Sequence, residues 1–282
     1  MLEALEFEFM RNALMAGLLV SVICGIIGTL VVVNRIVFIS GGVAHAAYGG
    51  IGLACFLGIP YLLGTLGFAL LTAMIMAAVT LRARHRSDTV IGVLWATGMA
   101  MGIILLDMTP GYNVDLMSYL FGSILTVPGS DLWMMLAVSV VTALITCFFY
   151  NDFLAMSYDE EFAQVRGVPV KPLYFLLLGM IAVSVVMIIR VVGLILVISL
   201  LTIPPYIAEK YSDSLLEMML YSVILSALFT IIGLWVSYHF NLTSGATIIM
   251  VGAVGFFASV MGDRLRHWYA LRKKRRHDVS SV

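Results

Sequence analysis

The chain has 282 residues, 62% of them hydrophobic and only 11% charged, with zero formal net charge and a mean hydropathy of +1.06. A water-soluble domain of this length needs far more polar surface, so the composition excludes a soluble globule and requires a bilayer as solvent. Cys24, Cys55 and Cys147 stand singly in apolar runs, which indicates neither a disulfide framework nor a structural zinc site.

The chain opens with Glu3, Glu6 and Glu8 where a cleaved signal peptide would be basic, and no small-residue cleavage site follows the first apolar run. Apolar stretches of about 18 to 25 residues, enough for a helix to cross ~30 Å of hydrocarbon, then recur. They lie near 13–33, 38–58, 61–81, 90–108, 131–150, 171–189, 191–208, 214–239 and 244–262. Ile59-Pro60 joins the second and third, and Arg190 parts the sixth from the seventh. The stretch 112–127, interrupted by Asn113, Asp115, Ser118 and Gly122 and followed by Pro128, reads as a short helix that dips in and returns on the same side. Such a segment survives at membrane depth only where protein or a water-filled cavity satisfies its backbone. The expected fold is therefore all-α, a polytopic membrane bundle of about nine spans plus a re-entrant segment.

Threading those spans from an outside N-terminus leaves every Lys and Arg inside except Arg11 and Arg190. Cytoplasmic loops carry that excess. A full crossing at 112–127 would invert everything after it and split the bias. The membrane domain is expected over 1–262 and a basic cytoplasmic tail over 263–282. The tail holds Arg264, Arg266, Arg272, Lys273, Lys274, Arg275 and Arg276. It reads as an anchor attracted to anionic lipid, tethered too closely to a span for a nucleic-acid role.

No H-E-x-x-H, G-x-S-x-G or Walker A motif is present, and no lysine follows a glycine. The chain is not expected to be an enzyme, and a nucleotide site would have to lie on another polypeptide. In the second span Gly41, His45, Gly49 and Gly52 fall on one helical face. Glycines there let another backbone approach, and an ionisable group among them is a functional candidate. His45 reads either as a metal or proton ligand or as a neutral imidazole hydrogen-bonded to a neighbouring helix. Gly98 and Gly102 form a G-x-x-x-G packing pair in the fourth span. Asp107 and Asp115 should sit near the outer mouth, to attract a cation or to pair with Arg190. Asp88 and Glu209 lie near inner ends, and His239 and Asn241 in an outer turn.

The connection 151–170 holds a short helix, about 157–168, opened by Asp159, Glu160 and Glu161 and stopped by Gly167 and Pro169. It is either a plain connector or a docking helix, with Phe162 and Val165 as anchors in a partner's groove.

At these segments the chain resembles the membrane permeases of zinc-, manganese- and iron-type ABC importers, from about Met10 to Gly262. The resemblance is carried by ISGGVAHAAYGG (39–50), SDTVIGVLWATGMAMG (87–102), VDLMSYLFGSILTV (114–127), YDEEFAQVRGV (158–168) and RVVGLILVISLLTIPPYIA (190–208). It implies a homodimer in a prokaryotic plasma membrane, a cytoplasmic ATPase dimer, and an extracytoplasmic metal-binding protein. It implies no permanently bound cofactor, a divalent metal ion as cargo (zinc slightly favoured over manganese or iron), and ATP on the partner chain. The 158–168 segment would be the coupling helix. Many relatives carry a carboxylate four residues before the histidine of the second span. Here Gly41 occupies that place, so His45 alone carries over, with Asp107 or Asp115 as substitutes. The alternatives are a permease for a metal chelate such as a siderophore, and a proton-coupled secondary carrier using His45 and Asp107.

Overall fold

A computed structural model describes residues 6–82, 87–110, 122 and 124–280, with side chains as far as Arg264. All regular structure among them is helical: α1 (Glu8–Val33), α2 (Val37–Leu57), α3 (Tyr61–Arg82), α4 (Ser87–Asp107), α5 (Gly129–Phe148), α6 (Tyr150–Tyr158), α7 (Glu160–Val165), α8 (Val170–Val192), α9 (Leu194–Glu209), α10 (Leu215–Phe240) and α11 (Ser244–Ser280). Helices suit these apolar runs because each backbone N–H and C=O is satisfied inside its own segment. Eight of the helices are long and apolar enough to cross a membrane. The stretch expected as the seventh span is the 16-residue α9, which spans about 24 Å at 1.5 Å per residue.

Two expected boundaries move. α8 runs through Arg190 to Val192, and the break falls at Gly193, whose φ of 79° suits glycine best. The backbone of Gly193 meets that of Gly122, itself at φ 58°, so a β-carbon on Gly122 would collide with the α8–α9 corner. The fifth span is continued beyond a break at Phe149 by α6.

The helices alternate between two ends of the bundle. One end gathers the α1–α2 turn, the α6–α8 connection and the α9–α10 turn. The other gathers the α2–α3, α8–α9 and α10–α11 turns. α4 ends at this second end, where Leu106 packs with Tyr48 and Ile51 of α2. The chain is at the same end again before α5, where Asn12 Nδ2 donates to the Val127 carbonyl. Both flanks of the expected re-entrant stretch thus lie at one end, although residues 111–121 and 123 fall outside those described.

α2 is the most enclosed span, held between α4 and α3 and touching α8. Its seam with α4 is nearly bare backbone. A β-carbon on Gly49 would lie 2.8 Å from the Gly98 carbonyl, and one on Gly52 would collide with Gly102. Small residues allow such approach in membranes, where packing rather than solvent exclusion drives association. On the other side, α1 packs against α10, α9 and α5.

Arg190 pairs with an acid that the sequence reading did not single out. Its Nε lies 3.1 Å from Oδ2 of Asp131 in the first turn of α5. The Asp131 side chain is 7% exposed and that of Arg190 36%, so the two losses are unequal. Removing the arginine strands a buried carboxylate, at about 3 kcal/mol, whereas Asp131→Asn leaves a cation able to reach water. Arg190→Ala is therefore expected to lower the melting temperature of the purified protein more than Asp131→Asn. Equal losses would show that the pair carries no buried-charge penalty.

Candidate functional site

His45 sits in α2 between the turns carrying Gly41 and Gly49. Its ring stacks on Trp95 of α4, centroids 4.0 Å apart and 16° from parallel. Trp95 is held in turn: its Nε1 donates to the Met99 sulfur at 3.3 Å, and its ring lies 6.0 Å from that of Phe38. His45 is half-buried, and its Nδ1 is buried without a hydrogen-bond partner. An unpaired nitrogen at this depth is unfavourable for a purely structural histidine. Its chemistry is that of a half-buried imidazole oriented by stacking.

The other expected site residues are not gathered around it. Gly41 is buried, but a β-carbon there would meet only Ile198 Cδ1 at 3.9 Å, an ordinary contact with α9. Position 41 therefore has room for a side chain, unlike Gly49 and Gly52. Asp107 is exposed at the end of α4, about 18 Å along the helix from Trp95. Asp115 lies outside the described residues. His239 is exposed and stacks on Trp235, with Asn241 capping α10 at φ 52°. Asp88 and Glu209 are exposed near the opposite end. Among the described residues no three His, Cys, Asp or Glu side chains are grouped to hold a metal. The sequence reading missed Trp95 and Asp131. An acid in the first turn of a span was a usable signal for Asp131, whereas nothing local marks the tryptophan.

The second candidate is α7. Asp159 caps it, accepting a hydrogen bond from Phe162 N at 3.0 Å, while Glu160 and Glu161 occupy its first turn. Side-chain capping and first-turn acids stabilise this very short helix. Ala163 is fully buried and seats it against α6 and α8. Arg166 lies over the Phe162 ring at 5.7 Å, and Gly167, at φ 85°, turns the chain toward α8. Phe162 is 56% exposed and Val165 86%. Two bulky apolar side chains are thus exposed on a braced short helix beyond the span ends.

A cleft of about 440 Å³ opens beside α7 at this end. Glu160 of α7, Arg35, Asp88 and Phe38 all line it. Phe38 also touches Trp95 and so adjoins the His45 stack.

Comparison with known proteins adds a wider frame. Residues 6–263 match the ABC 3 transport family. An uncharacterized membrane protein of Synechocystis is 49% identical over 260 residues, covering 92% of each chain. The manganese import system permease protein ScaB of Streptococcus parasanguinis is 32% identical over 90% of each chain. The structure of PsaBC from Streptococcus pneumoniae in complex with Fab contains a chain of TM-score 0.82 and 30% identity, matched over 92% of this chain and 93% of that one.

Proposed function

We propose, from the premise that this chain belongs to the ABC 3 transport family, that it is the membrane permease of an ATP-driven importer of a divalent transition-metal ion. The observation that carries the mechanism is α7, whose apolar side chains face outward on a capped helix at the basic end of the bundle. That end is cytoplasmic by the distribution of Lys and Arg. α7 docks on a cytoplasmic ATPase, one per protomer of a homodimer in a prokaryotic plasma membrane. A binding protein delivers the ion to the outer face. Closure of the ATPase dimer pushes α7, and α8, which packs on both α7 and α2, carries that movement toward His45. The spans rock between outward and inward access, and the ion passes His45. A single weakly binding imidazole per protomer suits a pathway that must also release its cargo.

The choice of metal turns on donors. Carboxylates suit manganese and imidazole suits zinc. ScaB is named for manganese, but this chain presents His45 beside Gly41, which has no side chain to ligate. We read zinc as the preferred cargo. A proton-coupled carrier using His45 and Asp107 fits less well, since Asp107 lies about 18 Å along α4 from Trp95, the residue on which His45 stacks, beyond direct proton transfer.

The test is uptake of zinc, manganese and iron, each measured separately in metal-depleted cells and in vesicles holding the permease with its ATPase and binding protein. His45→Ala is expected to lower uptake at least about tenfold, or 1.4 kcal/mol of pathway affinity, with assembly intact. Gly41→Asp, for which there is room, should raise manganese uptake relative to zinc. Unchanged uptake by His45→Ala would remove the residue from the pathway, and ATP-independent uptake by the permease alone would sink the importer reading.

A further inference from the structure

His45 and Trp95 meet because the seam between α2 and α4 is nearly bare backbone. One turn past His45, Gly49 packs on Gly98, which lies one turn past Trp95. A β-carbon on Gly98 would lie 2.9 Å from the Ala46 backbone, beside His45 itself. At that separation the two rings can only lie flat on one another, and their planes are within 16° of parallel. The pair formed by His239 and Trp235 is of another kind. Both belong to α10, both are exposed, and their centroids are 5.7 Å apart.

His45 lacks the device that usually aims a ligating histidine. Such a ring ordinarily makes a hydrogen bond through its second nitrogen, and that bond fixes its orientation. Nδ1 of His45 is buried and has no hydrogen-bond partner. The outer torsion of a histidine side chain is broad, so an unbraced imidazole points its nitrogens over a range of directions. The indole face removes that freedom. Trp95 is itself anchored, by donation from Nε1 to the Met99 sulfur one turn along α4 and by Phe38 of α2. A stacked neighbour also sits off the ring plane, so it aims the in-plane lone pair of Nε2 without covering it.

We infer that Trp95 is a positioning residue for the transported ion: its indole face holds the His45 imidazole in the orientation in which it ligates. That role rests on His45 being the pathway ligand, as proposed above. Trp95 supplies no donor atom to a metal, because its indole nitrogen only donates a hydrogen bond. Its second contribution is electrostatic. An ion on the imidazole makes the ring more cationic, and an aromatic face within about 6 Å favours a cation, so the stack strengthens as the ion binds.

Radiolabelled zinc is titrated against the full-length permease in nanodiscs, and the component that His45→Ala removes is followed. Trp95→Leu should raise its half-saturating concentration about tenfold, the low end of the loss when a ligating histidine loses its orienting partner. Trp95→Phe restores an aromatic face and should recover most of the affinity, while Trp235→Leu should leave it unchanged. Wild-type affinity in Trp95→Leu overturns the role, and so does equal weakening by the Phe and Leu variants. A second measurement keeps Trp95 in place. With Trp133, Trp235 and Trp268 changed to Phe, Trp95 is the one tryptophan left. Zinc should then alter its emission saturably, and adding His45→Ala should abolish the change. His45-dependent zinc binding with unaltered emission overturns the role even where Trp95→Leu fails to fold. If His45→Ala binds zinc as wild type does, the pathway reading falls and the role of Trp95 with it. If His45→Ala loses the zinc and Trp95→Leu keeps it, only the role of Trp95 falls.

Discussion

Replacing Phe162 with Asp should release the ATPase from the permease without unfolding either. Phe162 is 56% exposed, so the variant leaves the bundle's own packing almost untouched. The helix should persist, because Asp159 caps it through the Phe162 backbone N–H, which the substitution keeps. What changes is the surface offered to a partner. Burying a phenylalanine contributes about 1.5–3 kcal/mol, and a carboxylate forced into the same groove adds a desolvation penalty. Central aromatic anchors commonly carry 2 kcal/mol or more of an interface. Affinity for the ATPase is therefore expected to fall at least about thirtyfold, and stimulation of ATP hydrolysis by the loaded binding protein should disappear. The measurement pairs ATPase retention through purification with stimulated hydrolysis in vesicles. A complex that stays intact and fully coupled would make α7 a plain connector. Val165→Asp should behave similarly, since Val165 is 86% exposed on the same short helix.

A large loss of folded protein is expected from one methyl group at Gly52. In an open helical position Gly→Ala is favourable by about 1 kcal/mol, through backbone entropy. At Gly52 the added carbon collides with the Gly102 backbone, which cannot rotate aside. Only separation of α2 from α4 relieves that contact. The separation would also loosen Gly102 from Tyr48 and Gly98 from Ala46. Overpacking of this kind costs about 1–3 kcal/mol. Gly67→Ala is the matched control: it lies exposed in α3 with nothing near the new carbon. The Gly52 variant should lose several degrees of melting temperature and much of its monodisperse yield, and the Gly67 variant neither. Because the His45–Trp95 stack straddles the same seam, any surviving Gly52→Ala protein should also transport poorly. Equal stability of the two variants would mean that the helices are not held at backbone contact.

Hydropathy and residue identity alone determined that the chain is a helical membrane bundle, and they located its spans to within a few residues. That legibility is physical. A span must be about 20 apolar residues long whatever it packs against, and a helix satisfies its backbone locally. The α7 helix was readable for the same reason, since its cap, first-turn acids and terminating glycine are all local signals. The motifs around His45 and along 158–168 carried the family resemblance.

Tertiary structure decided which residues meet. Arg190 pairs with Asp131 rather than with an acid at the end of α4, because α5 and α8 are neighbours and their first and last turns coincide. Gly41 and Gly52 looked alike on a helical wheel. Yet Gly52 is pressed against α4, whereas a β-carbon on Gly41 would make only an ordinary contact with Ile198 of α9. Trp95 became visible only when α4 was laid along α2. Folding also showed that α11 does not stop where its hydropathy does but runs on to Ser280. Spans are chosen by transfer of single segments into lipid, so composition reveals them. Pairings depend on which helices become neighbours, and no local property of either helix encodes that.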